Sequence, residues 1–221
     1  VIAPIRIAEE ILRGRPWASL AGVRPGVALA RLVLVLICFG SSYGAVMGSF
    51  GGFRLGQVAG SATKVPLLLT ATTALAVPSF YVLHALLGLR ADFGRALRSL
   101  VSAQATLTIV LASLAPLTVV WYASTTNYRS AILFNAVMFG SASLGAQIQL
   151  RRSYRALIAR DRRHRLLLRA WLVIFAFVGI QMGWLLRPFI GDPAQPVEFF
   201  RSGRQGNAYE FLAGLVLDAI G

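Results

Sequence analysis

Residues 40–52, "GSSYGAVMGSFGG", can be read in two ways. Around Ser42 they fit G-x-S-x-G, the pattern of a serine-hydrolase nucleophile elbow. Their glycines, Gly40, Gly44, Gly48 and Gly52, also recur every fourth residue, ~40° apart in rotation on an α-helix, where they form a slowly winding groove. An elbow requires a strand, a strained turn and a helix, with a His and an acid brought to the Ser. Ser42 lies instead within an uncharged, apolar run of helix length between Arg31 and Arg54. Of the two histidines, His84 falls near the other end of the next apolar run and His164 in a basic segment. The stretch therefore reads as a helix-packing surface, which Ser41, Ser42 and Ala45 widen. "GSASLGA" (140–146) carries a similar patch, with Ser141 and Gly145 four apart.

What solvent surrounds such a helix is decided by composition. The chain has 221 residues, 57% of them hydrophobic and 14% charged, with a mean hydropathy of +0.68. A soluble domain of this length needs more polar surface. Long uncharged runs lie between Arg31 and Arg54, Lys64 and Arg90, Arg98 and Arg129, Arg129 and Arg151, and Arg169 and Arg187. About 20 residues of helix cross the ~30 Å hydrocarbon core of a bilayer. The expected fold is all-α: a polytopic bundle of five transmembrane helices near 30–50, 65–88, 101–123, 130–150 and 168–187. Domain organisation follows from this, with an interfacial helix and linker at 1–26, the bundle at 27–187 including a basic hairpin at 151–169, and an external segment at 188–221.

The 22 basic residues against 8 acids would point to nucleic acid in a soluble protein. Here they report threading. Segments 1–31, 90–98 and 151–169 hold sixteen of them and the alternate segments hold six. Cytoplasmic loops retain Arg and Lys, so the N-terminus is expected inside and the C-terminus outside a bacterial cytoplasmic membrane. No cleavable signal peptide is apparent, because a mixed-charge segment precedes the first apolar run. Cys38 is the single cysteine and forms no disulfide or thiolate cluster within the chain.

The flanks carry structure of their own. "PIRIAEEILRGRPW" (4–17) predicts an amphipathic helix with Ile7, Ala8, Ile11 and Leu12 on one face, and Trp17 as an interfacial anchor. "RPFIGDPAQPVEFF" (187–200) holds three prolines and reads as an external loop. "NAYEFLAGLVLDAIG" (207–221) restarts a short amphipathic helix behind the N-cap Asn207.

Chemistry-bearing candidates are few. His84 could serve as an axial ligand to a haem or chlorophyll, although no second ligand is visible. Gln104, Asn135, Gln147, Gln149 and Gln181 are amides within spans, suited to bonding across helices or to lining a route. Ion-coupled carriers place ionisable groups in the membrane interior, and none of the acids falls within a span. Pro66, Pro78 and Pro116 should kink or interrupt their helices. Arg151, Arg152, Arg155, Arg162, Arg163 and Arg165 could contact anionic lipid headgroups or an acidic partner.

The run "KVPLLLTATTALAVPSFYVLHALLG" (64–88) resembles the second-span region of the Yip family of Ypt-interacting membrane proteins and of bacterial proteins on the same plan. Lys64, Pro66, Pro78 and Gly88 carry the resemblance. It implies five spans with the N-terminus in the cytoplasm and the C-terminus external or lumenal, and a scaffold or accessory role whose activity is undefined. The DLYGP-type signature of the eukaryotic members is not found before the first span, so no GTPase-binding site is carried over.

Together these readings give a non-enzymatic scaffold or accessory subunit of a larger membrane complex, with no catalytic residue, metal or cofactor. Its partners would be membrane lipids and other membrane-protein subunits or a second copy, not nucleic acid. The alternatives are a transporter or channel for lipid or an uncharged solute, and an enzyme built on Ser42 and His84.

Overall fold

In the computed structural model, residues 2–13, 23–192 and 195–200 are described, and they form an all-helical bundle. The helices are α1 (Ile2–Leu12), α2 (Pro25–Gly48), α3 (Leu55–Leu86), α4 (Phe93–Ser124), α5 (Tyr128–Arg160) and α6 (Arg163–Leu185). A 3-10 turn at Arg90–Asp92 joins α3 to α4. Five of these, α2 to α6, are long and apolar enough to cross a membrane. Trp17 and the segment 207–221 lie outside the described residues.

α4 is the central helix. Every residue from Ser99 to Ile109 is buried, and the run is rich in Ser, Ala and Thr because neighbours crowd it from all sides. Small side chains let those helices approach, and their hydroxyls bond back to the helix's own carbonyls, as Thr106 does to Ser102 (2.9 Å) and Thr108 to Ala105 (2.9 Å). α2 packs on α3 and α4, α5 packs on α4, and α6 packs mainly on α3. α1 lays Ile7, Ala8 and Ile11 against Leu32 and Val35 of α2 and Ala105 and Ile109 of α4. Leu12, expected on the same face, is 58% exposed.

The helices outrun the spans that charge spacing marks. α3 starts at Leu55 rather than near 65, because Gln57, Ser61 and Lys64 are buried helical residues rather than parts of a loop. α5 and α6 extend through the basic hairpin and break only at Asp161–Arg162, where Asp161 Oδ1 accepts from the Arg163 amide (2.8 Å). The expected interruptions at Pro66, Pro78 and Pro116 do not occur; α3 and α4 run through them. Near Pro66 the Thr70 hydroxyl bonds to the Pro66 carbonyl (2.7 Å).

Candidate functional site

The most constructed region of the molecule lies where the chain leaves α6. Residues 187–192 and 195–200 lie outside any helix, as expected of a loop, and fold back onto α3 as a strap, with Ile190 and Gly191 buried. A strap outside any helix leaves main-chain carbonyls without partners, which is costly away from water. α3 supplies donors from one face. Lys64 Nζ donates to the Pro188 carbonyl (2.7 Å). Ser61 Oγ and Gln57 Nε2 both reach the Phe189 carbonyl. Arg54 donates through its two terminal nitrogens to the carbonyls of Asp192 and Gln195, each at 3.0 Å. Positions 54, 57, 61 and 64 recur at intervals of three and four, so they line one side of the helix.

Close packing completes the fastening. A methyl group on Gly191 would lie 2.6 Å from Gln57 Cδ, so a larger residue there would have to displace the Gln57 and Arg54 side chains that hold the strap. Gly56 and Gly60 leave a smooth rail on which Val197 and Phe199 rest. Lys64, 1% exposed, has its ammonium 4.8 Å from the centre of the Phe199 ring, a cation–π contact. Phe53 (74%) and Leu55 (73%) beside the strap, and Phe200 (54%) at its end, remain exposed.

Sequence reasoning found nothing in this stripe, since it counted Arg54 and Lys64 as loop charges and attached no chemistry to 187–200. The signal was present in the helical spacing of Arg54, Gln57, Ser61 and Lys64.

Beside the strap, a cavity of about 400 Å³ opens between it and the first turns of α5. Tyr128, Ile132, Asn135 and Phe139 form one wall, and Arg187 and Phe189 of the strap form part of the other. Asn135 is the best-bonded of the in-span amides. It accepts from Tyr43 Oη (2.8 Å) and donates to Tyr122 Oη (2.6 Å) and the Ala131 carbonyl (2.8 Å), tying α2, α4 and α5 together. Gln104 and Gln149 are also buried, and Gln147 and Gln181 half-buried.

The glycine stripe faces inward. A methyl group on Gly44 would collide with the Ser61 carbonyl oxygen and lie 2.9 Å from Ala62 Cα. On Gly48 it would lie 2.8 Å from Val58 Cα and from the Gln57 carbonyl oxygen. On Gly40 it would meet Thr108 Cγ2 of α4 at 3.3 Å and Pro66 at 3.6 Å. The groove is therefore filled by the chain's own α3 and α4. Gly52 is not part of it. It follows the end of α2, with φ +118° and open space around it, so it serves the turn into α3. Ser141 is likewise exposed, bonding only to the Val137 carbonyl (2.9 Å). Around it the buried small residues of α5 are Ala142 and Ala146, with Gly145 grazing Val110 (3.6 Å).

Ser42 is exposed on α2 and donates to the Cys38 carbonyl (2.8 Å). Gly40 contacts Pro66, and His84 lies eighteen residues further along α3, which places His84 ~27 Å from that level. The two cannot form a dyad. His84 is fully buried, with Nδ1 against the Phe80 carbonyl (3.0 Å) and its ring edge-to-face with Phe80 and Phe93. Its Nε2 has no hydrogen-bond partner among the described residues. No group of three His, Cys, Asp or Glu suited to a metal occurs among the described residues.

At this hairpin end, Asp92 is the hub. Its carboxylate meets Arg95 (2.9 Å), Arg160 (3.1 Å) and His164 Nε2 (3.4 Å), joining the starts of α4 and α6 to the end of α5. Arg163 donates to the Leu87 carbonyl (3.2 Å). Arg151, Arg152, Arg155, Arg162 and Arg165 are exposed around this hub. His164, read from sequence only as part of a basic loop, is fully buried 6.1 Å from His84. Comparison of the chain with protein families, with characterised proteins and with solved structures finds no match.

Proposed function

We propose that this chain is a non-enzymatic integral membrane protein of a bacterial cytoplasmic membrane, acting as an accessory subunit or scaffold, and that the strap is the surface it presents. The observation that carries this reading is the fastening of the strap by Arg54, Gln57, Ser61 and Lys64, next to exposed Phe53, Leu55 and Phe200. An apolar surface already held in one conformation loses little entropy when a partner covers it. Buried hydrogen bonds spent on a segment with no helix of its own are explained by that role. The glycine stripe contributes to the fold rather than to the partner surface. Transport through the in-span amides draws less support, since Asn135 is committed to Tyr43, Tyr122 and Ala131. The Yip-like character of 64–88 belongs to the same proposal, as does the threading with the Arg-rich hairpin in the cytoplasm and the strap outside.

Two measurements test it. A photo-crosslinking residue at position 200, in cells, should give one discrete heavier species, and the protein in mild detergent should elute at the mass of that assembly. A monomer in several detergents with no crosslinked product sinks the scaffold reading. In a Cys38→Ser background, an impermeant thiol reagent on intact cells should label Gln195→Cys and miss Arg155→Cys. Equal labelling overturns the threading.

A further inference from the structure

We propose that the cavity between α5 and the strap holds one acyl chain of an anionic phospholipid, drawn from the leaflet on the strap side. Its volume of about 400 Å³ falls within the ~300–1,000 Å³ typical of small-molecule sites. Its depth matches a single leaflet. Tyr128 and Phe139 both line it, and they stand ~17 Å apart along the helix axis, about half of the ~30 Å hydrocarbon core.

The wall chemistry suits hydrocarbon. Asn135 turns its polar atoms to Tyr43, Tyr122 and the Ala131 carbonyl, and the Tyr128 hydroxyl donates to the Ile190 carbonyl (3.1 Å). Ile132, Phe139, Phe189 and Leu68 are among the apolar residues that line the rest. The opening is lateral, since Ile132 and Ala136 line the cavity and are also exposed on the outside of α5. A void in a wall that faces lipid loses dispersion contacts, and an acyl chain restores them.

The polar end follows from Arg187. This residue lines the cavity just past the end of α6, with its guanidinium 3.3 Å above the Trp184 ring. Trp and Arg paired at a helix end mark the headgroup level of a bilayer. A guanidinium there is complementary to a phosphate, which it binds through charge-assisted hydrogen bonds. A leaflet-deep apolar slot with a cation at its mouth is therefore a site for an anionic lipid rather than for a soluble solute.

The test uses the full chain, moved from the membrane into mild detergent and examined by native mass spectrometry. It is titrated in turn with phosphatidylglycerol, phosphatidylcholine and oleate of matched chain length. One phosphatidylglycerol per chain should remain bound, about tenfold more tightly than phosphatidylcholine. Ala136→Trp, which fills the slot from its lipid-exposed side, should cut retention about tenfold with an unchanged elution profile. Ile132→Trp, in the same wall, serves as the second filling variant. Arg187→Gln should keep a bound lipid but lose the preference for phosphatidylglycerol. Retention of phosphatidylglycerol by both filled variants at the unmodified level overturns the site. Binding of no lipid, or of oleate alone, overturns the assignment to a phospholipid.

Discussion

The two ends of the bundle are tied by different physics. At the strap end, α3 donates hydrogen bonds from buried side chains to main-chain carbonyls, with Gln57, Ser61 and Lys64 all nearly inaccessible. At the hairpin end, Asp92 gathers Arg95 and Arg160, whose side chains are 57% and 59% exposed. A buried donor that is removed leaves a carbonyl with neither water nor protein to bond, at a cost of about 1–3 kcal/mol. An exposed ion pair contributes about 0–1 kcal/mol and weakens with salt. One end is therefore rigid and the other tunable.

The sharpest break comes from the seam that lies beneath the strap-binding face. Gly44→Leu forces a branched side chain into the Ser61–Ala62 backbone, so folded, monodisperse protein should be lost on size-exclusion chromatography. Even Gly44→Ala should cost about 1–3 kcal/mol by overpacking, read as a lower Tm. Next in size is Lys64→Met, which keeps the volume but strands the Pro188 carbonyl. It should cost about 1–3 kcal/mol and expose the strap to protease, while the hairpin end stays intact. The smallest effect belongs to Asp92→Asn, at about 1 kcal/mol or less. High salt should shrink the difference between Asp92→Asn and the unmodified chain, and leave that for Lys64→Met unchanged. If the two variants respond to salt alike, the contrast between the ends is wrong.

Much of the bundle was legible in advance because charge and hydropathy report directly on solvent. The uncharged runs locate five helices, and the inward face of α1 is visible at Ile7, Ala8 and Ile11. What escaped has a common cause: residue type does not reveal a distant partner. Lys64 looks like a loop charge until the Pro188 carbonyl stands beside it. Four-residue spacing identified Gly44 and Gly48 as packing residues, yet spacing cannot say that the backbone opposite belongs to the same chain. On α5 it misled. Ser141 sits one position, ~100°, from the buried Ala142, enough to turn it to the outside. His164 was hidden in a run of arginines, and only the turn carrying Asp92 explains its burial.

Of the apolar spans, α6 buries the least of its own length, yet both of its ends are moored: His164 meets Asp92 at the start, and the strap holds the chain just past its finish. The second mooring lies downstream in the polypeptide. During synthesis α6 emerges before the strap residues that moor its far end. A chain halted at Arg187 would hold every candidate span found among the described residues but lack this mooring.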